Sequence, residues 1–200
     1  MENKKSDRRL VRTRKSLRDA LIELILEKHY DDITVQNIID RANVGRSTFY
    51  AHYRDKEDLF RGDWERFLDF FVQYIDFDKI KKSRFVPIEQ LFQHLMDFHP
   101  FYRALVKSNK SDQLLKIGQT HLAKRIENKL IVWLGKEQTT SVPISILSNY
   151  LANETFALLK WWLDENMPYP PERMDEIFHH LVTPGFRLVV SDKEKNQVLN

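Results

Sequence analysis

Two short stretches of helical apolar spacing stand only three residues apart between residues 34 and 53. Val35, Ile38, Ile39 and Ala42 recur at intervals of three and four, so they line one face of a short helix. Thr34 precedes them as an N-cap, its hydroxyl placed to accept a bond from a first-turn amide. Asn43 stops that helix, because Asn tolerates the left-handed backbone that ends helices. Val44 follows, and Gly45 starts a third short helix over residues 46–52 that buries Phe49 and brings Tyr53 inward. A first helix over residues 7–27 carries Leu10, Leu17, Leu21, Leu24 and Ile25 at helical spacing. The order helix, helix, tight turn, helix is that of a helix-turn-helix. Its requirement is geometric: the third helix buries one side on the first two and leaves the other free for a major groove.

The rest of the chain also reads as helix, and no stretch supports a strand by period-2 alternation. Asp55 caps a fourth helix reaching about Tyr74, with Leu59, Trp64, Phe67, Leu68, Phe71 and Ile75 on its apolar face. Residues 76–86 are polar and basic and read as a connector. Further helices are expected over residues 87–97, 99–106, 111–135, 141–165 and 170–182, with prolines near several starts, where a missing amide costs least. Thr183-Pro184-Gly185 punctuates the chain before a short apolar end at residues 186–190. The expected class is therefore all-α. A helix-turn-helix head spans residues 1–54, with residues 1–7 disordered. A connecting helix spans 55–75, a helical ligand-binding and dimerisation bundle spans 76–191, and a tail spans 192–200.

Composition removes several function classes. Without cysteine there is no disulfide, thiol catalysis or Cys-ligated zinc, which fits a reducing cytoplasm. No apolar run approaches the roughly 20 residues of a membrane span, and neither a membrane role nor a signal peptide is expected. His94, His99 and His121 are not spaced to share a helix face as metal ligands, and His179 and His180 point apart, so no metal is expected. No Gly-rich phosphate loop or nucleophile-base set is legible, and neither enzymatic activity nor a cofactor is expected.

Net charge is only +3, but residues 1–20 hold eight Lys and Arg against three acids. A solvated basic tail and a polyanion-binding end both fit that concentration. The third helix adds chemistry. Arg46 can donate two bonds to guanine, while Ser47 and Thr48 reach bases or phosphates. Tyr50 and His52 can reach the backbone of the duplex. The helix start at Thr34 offers free amides to a phosphate, and Lys56 can act likewise at the start of the fourth helix. A head that binds a protein partner, in a ligand-binding co-regulator or adaptor, is the rival reading.

The stretch from Ile33-Thr34-Val35-Gln36-Asn37 through Gly45-Arg46-Ser47-Thr48-Phe49-Tyr50 to His52-Tyr53, followed by Asp55-Lys56-Glu57-Asp58-Leu59-Phe60, resembles the TetR/AcrR-type regulator signature over about residues 8–60. The resemblance implies a dimeric, helical, cytoplasmic protein that represses transcription from a palindromic operator until a small-molecule effector binds. It also implies DNA contacts at Thr34, Gln36, Arg46, Ser47, Thr48, Tyr50, His52 and Lys56. Two positions depart from the usual pattern: Asn43 replaces a common Gly, and Gly45 replaces a common Ser or Thr cap. The segments His94-Leu95-Met96-Asp97, Phe101-Tyr102-Arg103-Ala104-Leu105 and Phe156-Ala157-Leu158-Leu159-Lys160-Trp161-Trp162-Leu163 resemble a C-terminal domain of Firmicutes-type members.

Aromatic residues crowd the C-terminal half, as a bundle core or as an apolar pocket. The candidates for a ligand are Trp64, Phe67 and Phe71 on the fourth helix, with Phe92, Tyr102, Trp133 and Phe156. The last two long helices are the expected homodimer interface, through Leu147, Leu151, Leu158, Trp162, Phe178 and Leu181.

Overall fold

The computed structural model describes residues 2–81, 84–97, 102, 111–135 and 140–195. Its elements are helices α1 (Glu2–Glu27), α2 (Val35–Ala42), α3 (Arg46–Tyr50), α4 (Lys56–Gln73), α5 (Ile88–Asp97), α6 (Ser111–Leu134), α7 (Ile144–Asp164) and α8 (Pro171–Lys195). Short 3₁₀ turns add Tyr30–Asp32 and Phe77–Lys81, and no strand occurs among the described residues. The all-α expectation holds. The helix expected over residues 99–106 lies outside the described residues except for helical Tyr102. No described helix is long and apolar enough to cross a membrane.

The chain forms two compact units, Met1–Arg66 with Phe98–Leu114, and Phe67–Asp97 with Leu115–Asn200. The first is built on α1 and α2, which pack together. Leu17, Leu21, Leu24 and Ile25 are buried as their spacing requires, together with Ile38 and Ile39 of α2. Leu10 is an exception: two turns ahead of Leu17, it is left exposed. Helix α1 begins at Glu2, ahead of the expected residue 7. Arg41 of α2 forms two bonds with Glu27 of α1, at 2.8 and 2.6 Å, and a third with Glu23 at 3.1 Å. These are surface pairs that fix register more than they stabilise.

In the second unit the expected connector proves to be core. Phe77, Ile80, Phe85 and Val86 are all buried. The rings of Phe77, Phe85 and Phe186 form a cluster with centroids 5.1–6.0 Å apart. Lysines and aspartates interleaved among these residues hide the apolar signal, because a 3₁₀ turn has neither the helical nor the strand period.

The chain also fails to stop at residue 182: α8 runs on through Pro184 to Lys195. Met174, Phe178, Val182, Phe186 and Val190 stand four apart, all buried. A mid-helix proline costs about 3 kcal/mol. Burying Phe186 and Val190 returns roughly 1.5–3 kcal/mol each, so packing overrides the local break.

Helix α6 holds the end of α4 through a second stripe of four-residue spacing. His121 Nε2 lies 2.6 Å from Asp69 Oδ1, and Arg125 donates to both oxygens of Asp69 at 2.5 and 2.7 Å. Lys129 Nζ donates to the carbonyls of Val72 and Gln73 at 2.8 Å at the C-terminus of α4, where the Val72 carbonyl also accepts the Ile75 amide at 3.1 Å. Trp133 Nε1 donates to Asp78 Oδ1 at 2.8 Å. The Arg125 guanidinium, against some opposing burial and with help from His121, pulls the Asp69 carboxyl down to about 2.

Candidate nucleic-acid interface and ligand cavity

The head is set by its caps. Thr34 Oγ1 accepts the Asn37 amide at 3.2 Å, and Asn37 Oδ1 accepts the Thr34 amide at 3.0 Å, closing a reciprocal capping box. The Thr34 hydroxyl proton is not consumed by that bond. At the other end of α2, Asn43 takes the left-handed conformation (φ 51°, ψ 49°), and the Val44 amide returns to the Ile39 carbonyl at 3.1 Å. The chain then enters α3 at Gly45, which is extended and makes no side-chain cap.

Phe49 is fully buried. At about 100° per residue, Ser47 falls roughly opposite Phe49, with Tyr50 and then Arg46 between the two around the helix. All three are exposed, and Thr48 is half-buried. The Arg46 guanidinium lies 5.9 Å from the Tyr50 ring centroid, and that ring meets Phe49 edge-on at 5.4 Å. Gln36 is exposed, with its amide nitrogen 2.8 Å from Asp40 Oδ1. His52 is half-buried, and burial followed by the charge of Arg14 lowers its pKa, so it offers a hydrogen bond more than a charge at neutral pH.

Lys56 requires a correction. Its ammonium donates to the carbonyls of Tyr30 at 2.7 Å, Asp31 at 3.2 Å and Ile33 at 2.7 Å, and sits 4.6 Å from the Tyr30 ring centroid. An ammonium has three N–H donors. All three serve the turn between α1 and α2, so Lys56 braces the head and cannot serve a phosphate without releasing it.

The second unit contains a cavity of about 580 Å³, within the range of small-molecule sites. Of the seven ligand candidates, Phe67 and Phe71 line it. Phe92 is buried against Trp162 at 4.8 Å, and Phe156 is buried in the core. Trp133 packs on Phe77 at 5.3 Å. Trp64 and Tyr102 meet at 5.7 Å in the first unit. Sequence reasoning missed Phe70 and Tyr74, which lie three and seven residues past Phe67 and also line the cavity. It also missed Arg84, Glu89 and Asp175. Arg84 Nε lies 3.0 Å from Asp175 Oδ2, and its Nη1 lies 3.8 Å from Glu89 Oε2. His94 stacks on Phe67 at 4.1 Å, and burial lowers its pKa. His121 is bonded to Asp69, and His99 lies outside the described residues. No group of three or more possible metal ligands occurs among the described residues.

Residues 17–62 match the model for bacterial regulatory proteins of the tetR family, and residues 87–184 match a transcriptional regulator C-terminal region. The chain belongs to the TetR family. The HTH-type transcriptional regulator YxbF of Bacillus subtilis is 44% identical over 59 residues, covering 29% of this chain and 16% of YxbF. IcaR of Staphylococcus epidermidis, a negative regulator of the biofilm operon icaADBC, is 32% identical over 57 residues, 28% of this chain and 31% of IcaR. The matches thus span less than a third of either curated relative. A TetR transcriptional regulator from Streptococcus agalactiae aligns with TM-score 0.52 and 27% identity over 88% of this chain and 97% of that one.

The two departures from the usual TetR-family pattern have different consequences. Asn43 keeps the left-handed corner intact. At Gly45 an added Cβ would meet the Thr48 and Ser47 side-chain oxygens at 3.8 and 3.9 Å, ordinary contact, so space does not forbid a capping side chain there. The expected dimer stripe needs a correction. Leu147, Leu151, Trp162 and Phe178 are buried within the chain, and Leu158 is half-buried. Only Leu181, 66% exposed, is free for a partner. The exposed apolar residues of these helices are Ile146, Tyr150 and Trp161 on α7, and Leu181 and Leu188 on α8. Spacing located the stripes, but it could not say which faced inward, since both helices are apolar on more than one side.

Proposed function

We propose that this TetR-family chain is a sequence-specific DNA-binding regulator that acts as a homodimer. The observation carrying this reading is α3. It buries Phe49 completely and turns Arg46, Ser47 and Tyr50 to solvent, the arrangement a helix needs to enter a major groove. Arg46 reads a base, Ser47 and Thr48 contact bases or phosphates, and Thr34, Gln36, Tyr50 and His52 hold the backbone. The exposed faces of α7 and α8 pair with a second copy, and two heads one helical turn apart (about 34–36 Å) read a palindromic operator.

The protein works in the cytoplasm as a repressor, released when a small molecule occupies the cavity beside α4. Only a ligand that binds one state more tightly can shift it. Its C-terminal half belongs with the Firmicutes-type members. We assign it no catalytic activity.

The test is a gel shift with the DNA upstream of the chain's own gene. Retardation that survives excess random DNA supports the proposal; weak retardation blind to sequence overturns it. Arg46→Ala should cost about 1–3 kcal/mol of discrimination at one base position in each half-site, read by selection from a randomised operator.

A further inference from the structure

The cavity of the second unit has a wall chemistry that selects its occupant. Its apolar wall is largely aromatic: Phe67, Phe70 and Phe71 from α4 and Tyr74 just past its end, with Phe85. Aromatic faces carry negative potential and attract cations. Its charged lining is acidic on balance, because Asp76, Glu89 and Asp175 oppose Lys79 and Arg84 among the described residues. Lys79 is paired with Asp76 at 3.1 Å, and Arg84 is shared between Asp175 and Glu89. Among the described lining residues, one carboxylate charge is left over. His94 does not cancel it, since burial favours its neutral form.

Asp175 is the second observation. It is 2% exposed, on the buried side of α8. Its Oδ1 accepts the Glu89 amide at 3.3 Å, but Oδ2 accepts no hydrogen bond. Arg84 Nε is close to Oδ2 yet out of line for one. A buried carboxylate oxygen without a directed donor is costly, and a ligand N–H that displaced the exposed Arg84 side chain from it would remove that cost.

We propose that this cavity binds an amphipathic organic cation: an N–H-bearing ammonium on an aromatic body, with the ammonium at Asp175 and Glu89 and the body among Phe67, Phe70 and Tyr74. The assignment deepens the effector reading above and rests on it. An anionic ligand of the same shape would meet surplus negative charge and aromatic faces, and is excluded by the same chemistry.

Three probes share one fluorescent body: 1-pyrenemethylamine, its N,N,N-trimethylammonium derivative and 1-pyrenecarboxylate. Each is titrated into the full chain without DNA, followed by anisotropy. The primary ammonium should bind at least tenfold tighter than the carboxylate and severalfold tighter than the trimethyl compound, which lacks N–H donors. Equal binding of ammonium and carboxylate overturns the charge assignment, and equal binding of the two cations overturns the role of Asp175. Asp175→Asn should lose at least tenfold. Since a buried substitution there risks the fold, Glu89→Gln and the mouth variant Phe70→Ala are measured beside it, with circular dichroism as the folding control. Severalfold loss in both supports the location, and unchanged affinity in both overturns it. A protein that binds the ammonium but retards no DNA keeps this assignment and overturns the regulatory reading, and the converse result separates them the other way.

Discussion

Asn43 shows how much one backbone angle decides. Its φ of 51° lies where a side chain is strained, and the turn into α3 depends on it. The residue is exposed, so little packing is lost on removing its side chain. Asn43→Gly should raise the unfolding free energy of the chain by several tenths of a kcal/mol up to about 1 kcal/mol, read by urea denaturation, with the gain limited by glycine's larger unfolded-state entropy. A loss of stability would mean that the Asn side chain stabilises the turn in some way beyond tolerating the angle. This corner was readable beforehand because it depends on local chemistry alone. Thr34 as a cap and Phe49 as an anchor were legible for the same reason. Asn37, the other half of the capping box, was not singled out, since Asn is less usual at that position than Glu or Gln. Nor could spacing reveal that Lys56 turns inward, because its partners are carbonyls 23 to 26 residues away that any residue type would supply.

At the scale of elements, α4 is held by the ridge His121, Arg125 and Lys129 of α6. The Asp69 carboxyl sits at about 2 when folded, against an ordinary value of 3.8. A depressed carboxylate stabilises the fold above its unfolded pKa and loses that contribution as pH falls through the folded one. The stability gap between the wild type and Asp69→Asn should therefore be full at neutral pH and narrow as pH drops below about 4 toward 2. Urea denaturation across that range reads it, and a gap independent of pH would exclude this ion pair as its source. Helix existence was legible in the sequence for all the long elements, because each carries a periodic apolar face. Two boundaries were not. The Phe77–Lys81 turn and the passage of α8 through Pro184 are decided by what packs on Phe77, Phe85 and Phe186, which are distant in sequence.

For the molecule as a whole, the sequence disclosed an all-α chain of the TetR family with a head and a helical remainder, while most of the cavity stayed hidden. Its acidic wall joins residues near 76, 89 and 175, and no local pattern connects them. The proposed dimer face was hidden differently, because a helix with two apolar sides does not say which one its own chain covers. Leu181→Asp should leave the thermal midpoint of the isolated chain nearly unchanged, since the side chain is already in water. It should shift the sedimentation coefficient from dimer to monomer and weaken operator binding at least tenfold. A dimer that persists in Leu181→Asp would place the interface elsewhere.

The clasp around Lys56 has a consequence for covalent labelling. Acylating reagents attack an amine through its free lone pair, and this ammonium keeps its protons bound to three carbonyls. Its labelling rate should be low in the naked protein and unchanged by DNA, whereas exposed Lys15 should react freely. Mass spectrometry of acetylated peptides would show both. A footprint that scored Lys56 by the change on adding DNA would find none, although the residue holds the head together.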